Sequence, residues 1–204
     1  MLTSLFFALM AETVQPSYAA FSFIFPQNIV VEANASRTTV GAKKTVKKTE
    51  SLEPVIRATS VFSVDLTNET PLLVRNIFER RPIASIGKLV TAMVILDAHA
   101  LDETVTVTEH AANQEPTRMN LQAGEKITIE NLLTGLLVGS ANDAAIALAE
   151  YDAGSESAFV AKMNAKILSL GLHNTHFSNP PGFDEPANYS TAFDTMVFAR
   201  ASSQ

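Results

Sequence analysis

The stretch Pro82-Ile83-Ala84-Ser85-Ile86-Gly87-Lys88-Leu89-Val90-Thr91-Ala92-Met93 decides how the rest of the chain is read. It has the pattern of a helix that opens on a serine and carries a lysine one turn later. Residues three apart on a helix share a face, with Cβ atoms roughly 5–6 Å apart, so hydroxyl and amine can point into one cavity. A serine hydroxyl is a weak nucleophile until a neighbouring base takes its proton. Lysine can be that base when burial and nearby positive charge leave it neutral. A helix start adds N–H groups and a positive dipole end, which favour negative charge developing there. Ser-x-x-Lys alone is a weak signal, since a chain of this length holds about one by chance at average composition. A capping serine beside a solvated lysine has the same spelling. Beyond the lysine, Leu89, Ala92, Met93, Val94, Ile95 and Leu96 make the helix apolar nearly all round, so it is expected to be buried on most sides.

Working outward, residues 58–66 and 71–74 are extended runs around the polar turn Thr67-Asn68-Glu69-Thr70, which predicts a hairpin. Val105-Thr106-Val107 predicts a short strand and residues 116–124 a loop. Thr128 is a plausible N-cap for a helix over 129–138 that stops at Gly139, and a second helix starts at Asn142. Residues 159–170 are amphipathic and end at Gly171, a normal C-terminal choice. Residues 178–188 are rich in Pro, Gly, Asn and Asp, hence a loop, and 191–201 predict a last helix. The folded domain is placed at 55–204.

The segment before it has a different texture. Residues 32–54 hold Ser, Thr, Lys and Ala with the basic cluster Lys43, Lys44, Lys47 and Lys48, and read as a flexible linker. A sharper reading is a basic tether for anionic lipid or wall polymer. Residues 1–31 are apolar but broken by Glu12, Pro16 and Pro26, short of the roughly 18–20 uninterrupted residues of a spanning helix. Ser17-Tyr18-Ala19 or Ala33-Asn34-Ala35 supplies a small-x-small cleavage site, although no Lys or Arg precedes Arg37. The segment is expected to be a signal peptide or a membrane anchor, with membrane association in the second case. Export is expected in either case.

Composition narrows the class. The chain has 204 residues, 47% apolar and 18% charged, which is globular and large enough for one sizeable core. A net charge of −6 argues against a general nucleic-acid binder. Without cysteine there are no disulfides or thiolate metal sites. The histidines, His99, His110, His173 and His176, include one close pair and no HExxH, so no metal or other cofactor is expected.

A second motif, Gly139-Ser140-Ala141-Asn142-Asp143-Ala144-Ala145, lies at the corner between the two middle helices. Ser140 and Asn142 can project together into a cleft, where a hydroxyl relays a proton and an amide both donates and accepts. Both are also ordinary capping residues. Together with Ser85 and Lys88 they resemble the low-molecular-weight penicillin-binding proteins, serine D-Ala-D-Ala carboxypeptidases. The resemblance runs from about Arg57 to Ala201. It includes Arg81-Pro82-Ile83-Ala84-Ser85, Met119-Asn120-Leu121-Gln122-Ala123-Gly124-Glu125, His176-Phe177-Ser178-Asn179-Pro180-Pro181-Gly182-Phe183 and Tyr189-Ser190-Thr191-Ala192.

The resemblance implies an α/β (α+β) fold of the β-lactamase/DD-peptidase kind, with a helical region packed on an antiparallel sheet. It implies an acyl-enzyme on Ser85, Lys88 as general base, Ser140 passing a proton to the departing D-Ala, and Asn142 orienting the substrate amide and Lys88. The implied partners are peptidoglycan stem peptides and β-lactams, the implied location the periplasmic or outer face of the cytoplasmic membrane, at the cell wall. The family's third motif, Lys-Thr-Gly on a cleft-edge strand, does not occur; Lys44-Thr45-Val46 and Lys48-Thr49-Glu50 lack the glycine. The expectation is a truncated domain whose C-terminal strands lie beyond Gln204. Loss of one oxyanion donor costs on the order of 10²–10³ in rate, so the fragment alone is expected to be nearly inactive.

Two rivals remain at this level. A β-lactamase needs a carboxylate to activate the deacylating water, and Glu150, Glu156 and Glu185 lack a Glu-x-x-Leu-Asn setting. A non-catalytic wall scaffold of the same fold would not need Ser85, Lys88, Ser140 and Asn142 intact. His176 reads equally as a loop histidine with a local hydrogen bond, and Glu125 and Asp143 read as helix-end charges.

Overall fold

The computed structural model describes residues 55–203. The expected signal peptide or anchor and the linker lie outside the described residues. β1 (Val61–Asp65) and β2 (Thr70–Arg75) form the predicted antiparallel hairpin. Its turn is closed by side chains: Asp65 Oδ1 accepts from the Thr67 amide at 2.8 Å and Asn68 Oδ1 from the Thr70 amide at 3.0 Å. These short acceptors reproduce a backbone turn, which is why Asp and Asn favour such positions.

A two-residue strand, β3 (Arg81–Pro82), leads through a 3₁₀ turn (Ala84–Gly87) into α1 (Lys88–Ala98). The helix is buried on most sides, as its sequence predicts. Val90 and Ile95 are wholly enclosed, and Thr91, Ala92, Met93 and Val94 are buried beside them. Such enclosure contributes about 1.5–3 kcal/mol for each large apolar side chain.

Around α1 the chain lays β4 (Thr104–Thr106), α2 (Glu109–Ala112), β5 (Lys126–Thr128), α3 (Ile129–Val138), α4 (Asn142–Ala153) and α5 (Glu156–Ser169). β6 (Tyr189–Ser190) and α6 (Ala192–Ala201) complete the described chain. Thr108, Thr128, Ser155 and Thr191 each accept an amide N–H at the start of the following helix. Each such cap is worth about 1 kcal/mol over alanine. The core joins α1, α3, α4, α5 and α6 through Ile95, Leu132, Leu136, Ile146, Leu148, Phe159, Met163 and Phe198.

Three antiparallel pairs brace these helices: β1 with β2, β3 with β6, and β4 with β5. The hairpin packs on α6 by a stack of Phe62 on Phe193 at 5.7 Å. The mixed architecture is the α/β (α+β) arrangement of helices against antiparallel sheet that the sequence implies. The β3–β6 pair ties the entry of the 3₁₀ turn to the end of the 178–188 loop, through Arg81 opposite Ser190 and Pro82 opposite Tyr189. Two distant loops therefore meet at Ser85.

Candidate active site

Ser85 does not lie in the α-helix itself. It occupies the 3₁₀ turn, and Lys88 is the first residue of α1. The i to i+3 spacing still puts them on one face, because side chains three apart eclipse in a 3₁₀ turn. Ala84, just before the serine, has φ +48°. A left-handed alanine is costly and persists where its surroundings enforce it. Here the enforcing neighbour is Gly182, at φ +82°: a Cβ on it would fall 2.1 Å from the Ala84 carbonyl oxygen. The glycine lets the 178–188 loop lie directly on the turn that presents Ser85.

Lys88 is buried, with 2% of the residue exposed, whereas Ser85 is open to solvent. The Lys88 Nζ donates to Ser85 Oγ at 3.0 Å, Asn142 Oδ1 at 2.9 Å and the Pro181 carbonyl at 2.7 Å. All of these partners are uncharged. Burial pushes the amine down from 10.5 to about 8, with no counter-ion beside it among the described residues. The position at the start of α1 acts in the same direction, since the positive dipole end disfavours a cation.

The loop that supplies the Pro181 carbonyl is held by its own side chains. Asn179 Oδ1 accepts from the Gly182 amide at 2.8 Å and the Phe183 amide at 2.7 Å. Thr91, on α1, donates to the Pro180 carbonyl at 2.9 Å. Phe177, fully buried, comes to 3.0 Å from the place a Cβ on Gly87 would take. A side chain at Gly87 would therefore press on the aromatic wedge behind the serine.

On the other side stands the α3–α4 corner. Ser140 has φ +54° and is half-buried, and its hydroxyl has no hydrogen-bond partner among the described residues. Asn142, the first residue of α4, is 6% exposed, and its Oδ1 faces Lys88. Of the four candidates, Ser85, Lys88 and Asn142 are joined directly by hydrogen bonds, and Ser140 lies two residues from Asn142 on the same corner.

Other candidates fall elsewhere. Glu150 bonds Thr108 and His110, and Glu156 meets His110, so neither carboxylate reaches Lys88. The His176 ring Nδ1 bonds the Ala187 carbonyl at 2.7 Å, a local loop contact. Glu125 accepts from the Gln122 amide. Among the described residues no group of three or more His, Asp or Glu side chains could hold a metal ion. Sequence reasoning missed Pro181, because a carbonyl contact leaves no mark on residue type. The Pro-Gly-Asn richness of the loop was the only available sign.

A buried, uncharged amine against a solvent-facing hydroxyl is suited to covalent acyl transfer. The model of the Peptidase_S11 family, D-alanyl-D-alanine carboxypeptidase, matches residues 45–204. D-alanyl-D-alanine carboxypeptidase DacF of Bacillus subtilis (strain 168) is 36% identical over 164 residues, 78% of this chain and 42% of DacF. D-alanyl-D-alanine endopeptidase of Escherichia coli (strain K12) is 37% identical over 163 residues, 79% of this chain and 52% of that one. The crystal structure of the Streptomyces K15 DD-transpeptidase superposes with a TM-score of 0.69 at 32% identity, covering 74% of this chain and 62% of the other. The chain spans 42% to 52% of the length of these two curated relatives. With this site geometry and these similarities together, the chain belongs to the D-alanyl-D-alanine carboxypeptidase family Peptidase_S11.

Proposed function

We propose that the protein is a serine D-alanyl-D-alanine carboxypeptidase that trims peptidoglycan stem peptides and is acylated by β-lactams. The observation that carries this is the Lys88 amine, buried with no counter-ion among the described residues and 3.0 Å from the Ser85 hydroxyl. The family and the named relatives support the substrate class. Export to the cell wall through residues 1–31 belongs to the same reading. Among the described residues no helix is long and apolar enough to cross a membrane.

Donor counting orients the base. A neutral amine has two N–H groups and one lone pair. Asn142 Oδ1 and the Pro181 carbonyl only accept, so they take both N–H groups. The lone pair is left for the Ser85 hydroxyl, which reverses its hydrogen bond and donates. Ser85 Oγ then bonds to the penultimate D-Ala carbonyl carbon as its proton passes to Lys88. Collapse of the tetrahedral adduct breaks the C–N bond to the terminal D-Ala, whose amine receives that proton through the unpartnered Ser140 hydroxyl. Water attacks the ester, Lys88 accepts its proton, and the shortened peptide leaves with Ser85 restored. Asn142 holds both Lys88 and the substrate amide.

The test is mass spectrometry of the full-length protein, as its gene encodes it, after treatment with fluorescent penicillin. The expected result is one adduct on Ser85, absent from Ser85→Ala, with D-Ala released from a D-Ala-D-Ala peptide. No adduct on Ser85 overturns the proposal in favour of a wall scaffold. Rapid turnover of a chromogenic cephalosporin overturns it in favour of a β-lactamase.

A further inference from the structure

Asn142 is oriented by a loop, and that loop is fastened by a residue the chemistry above does not use. The Asn142 Nδ2 donates to the Pro116 carbonyl, and the Asn142 backbone amide donates to the Thr117 carbonyl at 2.8 Å. With Nδ2 so engaged, Oδ1 is the side-chain atom left to face Lys88. The loop carrying these carbonyls is not relaxed backbone. Thr117 has φ +56° and Asn120 φ +64°, and a β-branched residue in the left-handed region requires outside restraint.

That restraint is Asp143. Its carboxylate is wholly buried and accepts the Met119 amide on Oδ1 at 3.0 Å and the Leu121 amide on Oδ2 at 3.1 Å. Oδ1 also accepts the amide of Ala144 at 2.9 Å. No lysine, arginine or histidine pairs with it among the described residues. A buried carboxylate held by backbone N–H groups alone is costly to desolvate and strongly directional. Neighbours along α4 thus grip one loop from two sides: Asn142 holds its carbonyls, Asp143 its amides.

We infer that Asp143 is a positioning residue for the Ser85–Lys88 pair: it clamps the loop through the Met119 and Leu121 amides, so that the Pro116 carbonyl fixes the Asn142 amide with its oxygen on Lys88. If the clamp opens, the Asn142 amide is free to turn its NH₂ toward the lysine, and a donor then opposes a donor. The lone pair loses its aim at Ser85, while the cleft itself stays in place. The inference rests on the reading of Ser85 as nucleophile and Lys88 as base.

The experiment combines two measurements on the full-length protein. Hydrogen exchange reads the clamp: the Met119 and Leu121 amides are protected in the wild type and exchange roughly tenfold or more faster in Asp143→Asn, with α5 unchanged. Asparagine can accept one of those amides but sets an N–H against the other. Penicillin acylation reads the consequence: the acylation rate constant falls roughly 10²-fold with noncovalent affinity unchanged. Asp143→Asn in an Asn142→Ala background then adds no further loss. A wild-type acylation rate in Asp143→Asn, or independent multiplying losses in the double variant, overturns the inference. Fast exchange at Met119 and Leu121 in the wild type also overturns it, a result that needs no variant to fold. A wild type that protects both amides yet never acylates Ser85 overturns the enzymatic reading instead, and the intact exchange pattern tells the two failures apart.

Discussion

The two ends of α1 each hold a basic side chain and treat it in opposite ways. At the N-terminal end Lys88 meets a hydroxyl, an amide oxygen and a carbonyl. At the C-terminal end the ring of His99 lies between two carboxylates, Glu103 at 2.9 Å and Asp152 at 3.0 Å. Each carboxylate offers only acceptor oxygens, so the ring is gripped from both of its nitrogens. Asp152 is shielded and shared with Lys162, and Glu103 also accepts from the Tyr151 hydroxyl. The helix dipole favours positive charge at the His99 end and opposes it at the Lys88 end. The difference teaches that burial alone does not make a base. A buried amine among neutral acceptors is set to take a proton, whereas an imidazole gripped by two carboxylates is set as a strut.

The hardest way to break this contrast is Lys88→Ala, which should lower the penicillin acylation rate by roughly 10²–10⁴-fold. Stopped-flow labelling measures it, and near-normal acylation would mean that Ser85 has another base. The pH profile comes next. Only the neutral amine accepts the Ser85 proton, and with the group at about 8 the rate should climb roughly tenfold per pH unit below that value and level off above it. From the plateau down to pH 6 that is about a hundredfold loss; a flat profile removes Lys88 from the role.

Gly182→Ala sharpens the comparison by disturbing the seat of the N-terminal end. Its Cβ would collide with the Ala84 carbonyl at a left-handed φ, so a loss of about 2 kcal/mol in denaturant unfolding is expected, with slower acylation. The smallest effect belongs to the strut. His99→Ala should cost about 1 kcal/mol in stability and leave acylation unchanged, because Asp152 keeps Lys162. An acylation defect there would couple the two ends after all.

Much of this was legible in the residue string. The hairpin, the enclosed α1, the cap at Thr128, the last helix and the Gly139 stop are consequences of periodicity and capping chemistry. The pairing of Ser85 with Lys88 survives a change of local geometry, since eclipsed 3₁₀ positions serve as well as an α-turn. The hidden part was tertiary in origin. β3 and β6 are two residues each and exist because each supplies the other's partner. α2, a single turn, has no periodicity to detect. Asp143 read as a helix-end charge because the loop amides it holds lie more than twenty positions away, which no local pattern encodes.

The close seating of Gly182 on Ala84 has a bearing on how the chain can diverge. The nucleophile turn and the proline-bearing segment were cast as one piece, so adding or deleting a residue between Asn179 and Gly182 would unseat the lysine's carbonyl partner. Asp184, Glu185, Pro186 and Ala187 are free of that constraint, being exposed, and the first three border an open cleft of about 500 Å³ with Arg80, Arg81 and Tyr189. Variation among close relatives should therefore collect in those four letters as substitutions, while length before the glycine stays fixed.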